Sequence, residues 1–134
     1  MDIFSTRIKE LKPYIGKFSL VGISGIFVNQ GCLTFLVSVL EFDIAVAGII
    51  AIELSILSNF FLNNFWTWKE KRESTFITRL IKYHMVTFIS GGVNYFILLI
   101  LTSMGLHYFI SNLIGIGFGT LVNFILNHFW TFKQ

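Results

Sequence analysis

Charge is scarce in this chain. Only 13% of its 134 residues are Asp, Glu, Lys or Arg, and 54% are hydrophobic. A soluble domain carries about 25% charged residues. The scarcity is also uneven. Phe18 to Leu40 contains no charge, Ile44 to Trp68 contains only Glu53, and Tyr83 to Phe132 contains none with histidine neutral. The one cysteine, Cys32, excludes an intrachain disulfide. The one proline, Pro13, stands just before the first apolar stretch, so no proline kink is expected within the spans. That first stretch is too long for the apolar region of a cleaved signal peptide. A Gly-rich phosphate loop, a metal-ligand cluster and a nucleophile paired with a base are all missing. The chain is therefore not read as an enzyme, and no cofactor is expected.

What remains is apolar sequence in lengths that matter. A bilayer core about 30 Å thick needs roughly 20 apolar residues per helix. Four such spans fit, at about 18–40, 44–67, 83–104 and 108–131. The expected fold class is all-α: a small polytopic membrane protein in place of an overpacked soluble bundle. Arg7, Lys9, Lys12 and Lys17 precede the first span. Lys69, Lys71, Arg72, Arg79 and Lys82 separate the second from the third, and Lys133 follows the fourth. The other two connections hold Glu41, Asp43 and His107, with no Lys or Arg. The positive-inside rule then places both termini and the loop at about 68–82 in the cytoplasm. The net charge of +3 mostly reflects this asymmetry and is not read as nucleic-acid binding.

The chain also repeats itself. Residues 59–69 read NFFLNNFWTWK and residues 123–133 read NFILNHFWTFK, identical at eight of eleven positions. The offset there is 64. Earlier it is 65, pairing Lys17 with Lys82, Val21 with Val86, Val28 with Val93, Asn29 with Asn94 and Leu33 with Leu98. One residue has been lost from an outer loop. The protein is thus read as one membrane domain built from two copies of a two-helix hairpin, at about 14–69 and 79–133. An even number of spans per copy makes the repeats parallel.

Polar residues inside the spans are the first site candidates. Hydrocarbon cannot satisfy an amide, so an intramembrane Asn faces protein or a wet cavity. Asn29 and Asn94 each lie twelve residues past a cytoplasmic-edge Lys. That is about 18 Å, near the midplane. Gly22, Gly25 and Asn29 share a helical face, as do Thr87, Ser90, Gly91 and Asn94. Asn112, Gly115, Gly119, Asn123 and Trp130 form a stripe in the fourth span. Such stripes let helices approach closely, so helix–helix adhesion accounts for them as well as a function does. The functional reading is a polar seam for a sugar's hydroxyl groups, made of Asn29, Asn94, Asn59, Asn63, Asn123, Asn127 and Glu53. Glu53 is the only formal charge within a span and has Gly117 as its counterpart. Its azimuth differs from that of Asn59 by about 120°.

The repeated motif ends in aromatics and lysines. Trp66, Trp68 and Trp130 are expected as interface aromatics, where anchoring alone explains them. Lys17, Lys82, Lys69 and Lys133 are paired by the repeat and suit a lipid phosphate at the inner surface. Arg79 adds a bidentate donor and His128, in the place of Asn64, a further candidate contact.

These features together resemble the GtrA-like family. The features are a basic residue, then FSLVG at 18–22, an intramembrane Asn29, and NF-x-LN-x-FWTW/F-K closing each hairpin. The resemblance covers nearly the whole chain. It implies a role in glycosylating bacterial surface polysaccharide or teichoic acid. A polyprenyl-phosphate-linked monosaccharide would be moved across the cytoplasmic membrane, with membrane lipid and membrane glycosyltransferases as partners. The family often carries Arg after the second Asn of the closing motif, where this chain has Asn64 and His128. Four spans enclose little volume, so a homo-oligomer is compatible with the reading. Two alternatives stay open: a small proton-coupled exporter using Glu53, and a scaffold that recruits a glycosyltransferase through KEKRESTFITR at 69–79.

Overall fold

The computed structural model describes residues 3–70 and 73–133, with side chains from Thr6 onward. Lys71 and Arg72 of the expected basic loop lie outside the described residues. Among the described residues every regular element is helical. The chain divides into two compact units, Met1–Glu70 and Lys71–Gln134. The first holds α1 (Ile3–Ser38), α2 (Ile44–Leu62) and a π-helical turn, Asn63–Thr67. The second holds α3 (Phe76–Ser103), α4 (Tyr108–Leu126) and a second π turn, Asn127–Thr131. Four segments are long and apolar enough to cross a membrane: Thr6–Ser38, Ile44–Thr67, Phe76–Ser103 and Tyr108–Thr131. The protein is an all-α, multi-pass membrane protein.

The outward faces fit lipid. Phe27 and Phe88 are 75% and 85% exposed, in the middle of apolar helices. In water such continuous apolar surface would aggregate; in hydrocarbon it costs nothing. The helices associate instead through close packing and internal hydrogen bonds.

The first span differs from expectation at its start. α1 begins at Ile3, well before residue 18, and Pro13 lies inside it. Pro13 is in the helix interior, not ahead of it. Ala or Leu there would supply the backbone N–H that proline lacks. At 36 residues α1 is about 54 Å long, far more than a hydrocarbon core requires. The helix therefore carries Arg7, Lys9 and Lys12 on an exposed extension.

The two outer loops explain the change of offset. α1 and α2 are joined by five residues, 39–43, and α3 and α4 by four, 104–107. The longer loop turns at Glu41 with φ 56°, and the shorter at Gly105 with φ 93°. Gly105 occupies a conformation that side chains avoid, so the tighter loop depends on glycine there. Each loop ends in a cap. Asp43 accepts from the backbone N–H of Ala45 at 3.0 Å, and His107 Nδ1 accepts from that of Phe109 at 3.3 Å. Both caps satisfy donors that the helix start leaves open.

Each hairpin core is short in side-chain size and matched by the repeat. In the first, Phe18, Val21 and Gly25 of α1 face Ala47, Ala51 and Phe60 of α2. In the second, Tyr83, Val86 and Ser90 of α3 face Ser111, Gly115, Gly119 and Phe124 of α4. The inward spacing of three and four residues is that of one helical face. Small residues at the centre let the backbones come close, while rings fill the end near the π turn.

Candidate functional site

The repeated motif ends in a π turn in both hairpins. The Trp68 N–H donates to the Asn63 carbonyl at 2.9 Å, and the Phe132 N–H donates to the Asn127 carbonyl at 2.9 Å. Both are five residues back, so one extra residue is accommodated in the turn. The wider turn brings Asn63, Asn64, Thr67 and Trp68 all inward, leaving Phe65 and Trp66 outside. Asn127, His128, Thr131 and Phe132 are likewise buried, with Phe129 and Trp130 outside. Sequence reading had no warning of a π turn beyond the motif itself, because its hydrophobic pattern is not distinguishable from an α-helix over five residues.

This turn separates the three tryptophans. Trp68 was expected at the surface with the others, but its indole is fully buried. It stacks on Tyr14 with centroids 6.4 Å apart and tilts against Phe18 at 5.8 Å. In the second hairpin Phe132 takes its place, edge-on to Tyr83 at 6.3 Å. Trp66 and Trp130 face outward, 42% and 37% exposed, and suit an interface belt.

A lysine of the first helix covers each outward indole. Lys17 Nζ lies 5.7 Å from the Trp66 ring centroid and Lys82 Nζ lies 5.2 Å from that of Trp130. Each pair contributes about 0.5–1 kcal/mol at a partly exposed site. Lys82 also donates to the Trp130 carbonyl at 3.5 Å, one of the acceptors left open at the helix end. Lys69 and Lys133 follow the π turns and are exposed.

Two of the expected phosphate contacts are not on this surface. Arg79 is buried, and its guanidinium donates to the Ser74 carbonyl. By the offset of the repeat it holds the place that Tyr14 holds in the first hairpin. His128 is buried too, stacked on Phe124 at 5.7 Å and edge-on to Phe129 at 4.8 Å. The inward turn of the π segment, which buries the residue after Asn127, is the reason.

The asparagines form a seam inside each hairpin, and the seams differ. In the second, Asn127 Nδ2 donates to Asn123 Oδ1 at 2.8 Å, and Asn123 Nδ2 donates to Ser90 Oγ at 2.9 Å. Ser90 Oγ then donates to the Thr87 carbonyl at 3.0 Å. In the first, Asn59 meets Gly25 in place of a serine: a Cβ at Gly25 would lie 2.5 Å from Asn59 Nδ2. The hydroxyl has moved to the facing helix, where Ser55 Oγ donates to the Gly25 carbonyl at 3.1 Å. The Gly25–Ser55 pair and the Ser90–Gly119 pair occupy the same place with their chemistry exchanged. Sequence reading singled out the glycines but missed Ser55, whose partner is remote in sequence.

Buried polar atoms without a hydrogen-bond partner include Asn59 Oδ1, Asn94 Oδ1, Asn127 Oδ1 and Thr131 Oγ1. In the first hairpin Thr67 Oγ1 instead donates to Asn63 Oδ1 at 2.8 Å. Asn94 packs on Gly115, where a Cβ would meet its backbone carbonyl at 2.7 Å. Asn29 and Asn94 are half-buried. Gly22 and Gly91, expected on the same stripes, touch nothing that an added Cβ would meet. Glu53 is exposed and sits about 200° around α2 from Ala51, on the face turned away from α1. It therefore does not join the Asn59 seam within this hairpin.

Comparison with known proteins decides the family. Residues 17–132 match the model of the family described as GtrA/DPMS, transmembrane domain. The chain belongs to this family. It is 43% identical over 113 residues to a dolichol-phosphate mannosyltransferase of Pyrococcus furiosus, covering 84% of this chain. The chain spans 32% of that relative's length. It is 24% identical over 125 residues to the uncharacterized membrane protein YngA of Bacillus subtilis, covering 93% of this chain and 83% of that protein. The matched region takes in both hairpins from Lys17 to Phe132, and so both Lys–Trp pairs.

Proposed function

We propose that the chain translocates a polyprenyl-phosphate-linked monosaccharide across the cytoplasmic membrane, for glycosylation of a cell-surface polysaccharide or teichoic acid. The observation that carries this reading is the pair of asparagine seams with unpaired amide oxygens at intramembrane depth. A sugar hydroxyl is a donor that such an oxygen lacks, and hydrocarbon supplies none. Membership of a family that includes a dolichol-phosphate mannosyltransferase supports the polyprenyl-phosphate part. Lys17, Lys82, Lys69 and Lys133 would receive the phosphate at the inner surface, with the prenyl tail left in lipid. Both termini and the central loop face the cytoplasm, by the distribution of the ten basic residues. The driving force is a substrate gradient or consumption of the sugar lipid on the far side.

The test is reconstitution in vesicles containing polyprenyl-phosphate-linked hexoses, with a reagent that reports the sugar head group in the outer leaflet. Crossing faster than in protein-free vesicles is expected, slowed by Lys17→Gln or Lys82→Gln. Equal rates with and without protein, for every sugar tried, refute translocation.

A second reading rests on the mannosyltransferase relative, most of which lies outside the aligned length. The chain would then be a membrane module that holds a separate glycosyltransferase beside its lipid substrate. Loss of membrane-bound transferase on deletion, with no lipid crossing by the purified protein, selects this reading.

A further inference from the structure

We propose that the chain has two separate sites for a lipid phosphate, one in each hairpin, each built from a lysine held over a tryptophan. They are Lys17 with Trp66 and Lys82 with Trp130. The inference rests on the reading above for the identity of its favoured lipid.

The first support is geometry. In each hairpin the lysine comes from the first helix and the indole from the π turn closing the second. The ammonium-to-centroid distances are 5.7 and 5.2 Å, so the repeat has preserved a tertiary arrangement and not merely residue types. Each pair is complete within its own hairpin.

The second support is charge. Among the described residues, neither ammonium has a carboxylate partner; each rests on a ring face. A ring face attracts a cation but does not neutralise it, and it leaves ammonium donors directed elsewhere. At a membrane surface the abundant anion is a phosphodiester. Basic pockets between membrane helices bind such head groups. The half-exposed indole adds a flat apolar shelf at the level where a lipid's first carbons leave its phosphate.

The third support is the fate of the other cations. Arg79 is buried on the Ser74 carbonyl and His128 is buried between rings. Lys69 and Lys133 are exposed, with no ring holding them in place among the described residues. Among the described residues, Lys17 and Lys82 are the lysines held over an indole.

The experiment is native mass spectrometry of the full chain released from detergent, with lipids added one at a time. The probes are a polyprenyl-phosphate-linked hexose, phosphatidylglycerol, phosphatidylcholine and inorganic phosphate. Wild type is expected to retain two copies of either anionic lipid and to hold the prenyl-linked hexose more tightly than phosphatidylglycerol. Lys17→Gln and Lys82→Gln should each retain one copy, and the double variant none. Lys17→Arg and Lys82→Arg should keep two, which separates loss of charge from loss of fold. Thermal melts of the Gln variants in detergent should stay cooperative and fall only slightly, as loss of one lysine–indole contact requires. Loss of both copies in either single variant, or two copies kept by the double variant, overturns the proposal. Equal retention of phosphatidylcholine overturns it as well, and tight inorganic phosphate without lipid retention shows a free-anion site instead. Translocation that fails while two-site binding persists would refute the proposed function alone; one-site binding with intact translocation would refute this inference alone.

Discussion

Two glycines two residues apart in α4 provide the sharpest test of the packing described here. At Gly119 an added Cβ would lie 2.8 Å from the Ser90 backbone carbonyl oxygen. Carbon–oxygen contacts between helices settle at about 3.3–3.6 Å, so α3 and α4 must part by at least about 0.5 Å. A gap of that size forfeits a quarter or more of the dispersion well for each facing atom pair. It also stretches the 2.9 Å bond from Asn123 Nδ2 to Ser90 Oγ out of range. Overpacking of this kind costs about 1–3 kcal/mol, and an interhelical hydrogen bond in a membrane about 0.6 kcal/mol. Gly119→Ala should therefore destabilise the second hairpin by about 2 kcal/mol, or roughly 30-fold in its folding equilibrium. At Gly117 an added Cβ meets nothing within 4 Å, so Gly117→Ala should be neutral or stabilising through helix propensity. Reversible unfolding in mixed micelles, followed by tryptophan fluorescence, measures both. Equal stabilities for the two variants would refute the close approach at Ser90.

The seams and the π turns give further predictions. Thr67→Val removes the hydroxyl that donates to Asn63 Oδ1 and should cost about 1 kcal/mol in the same assay, whereas Thr131→Val removes an unpartnered buried hydroxyl and should cost nothing. Equal losses would show that the two turns are bonded alike. Trp68→Ala should cost about 3–5 kcal/mol because the indole is fully buried, and Trp66→Ala under about 1 kcal/mol. Acrylamide should quench Trp66 and Trp130 but not Trp68, measured in variants with single tryptophans.

The membrane class, the four spans and the duplication could all be read from composition, periodicity and identity alone. Each depends on residues near in sequence, or on direct comparison of two stretches. A run such as Tyr83 to Phe132 without formal charge has few fates besides a bilayer. The pairing of Lys17 with Lys82 and of Trp66 with Trp130 was likewise visible. The motif did not reveal which tryptophan turns inward. One extra residue per turn rotates everything after it, so the π geometry decides that Trp68 is buried and Trp66 is not. Pro13 was misplaced for a related reason. A proline marks a helix start more often than an interior, and nothing local distinguishes the two when charged residues precede it.

The site divides the same way. Sequence determined that asparagines, small residues and paired lysines recur at fixed intervals, because duplication copies residue types. Tertiary structure decided what those residues meet. Helix contact brings Ser90 to Asn123, Gly25 to Asn59 and each lysine over an indole of the neighbouring helix. It also buries Arg79 and His128, which their charge and position near the membrane edge had suggested were available to lipid. The physical reason is that hydrogen-bond satisfaction and burial depend on the facing helix. A single residue exchanged across that interface, as serine and glycine are between the two hairpins, leaves the repeat legible while changing which polar atoms remain unpaired.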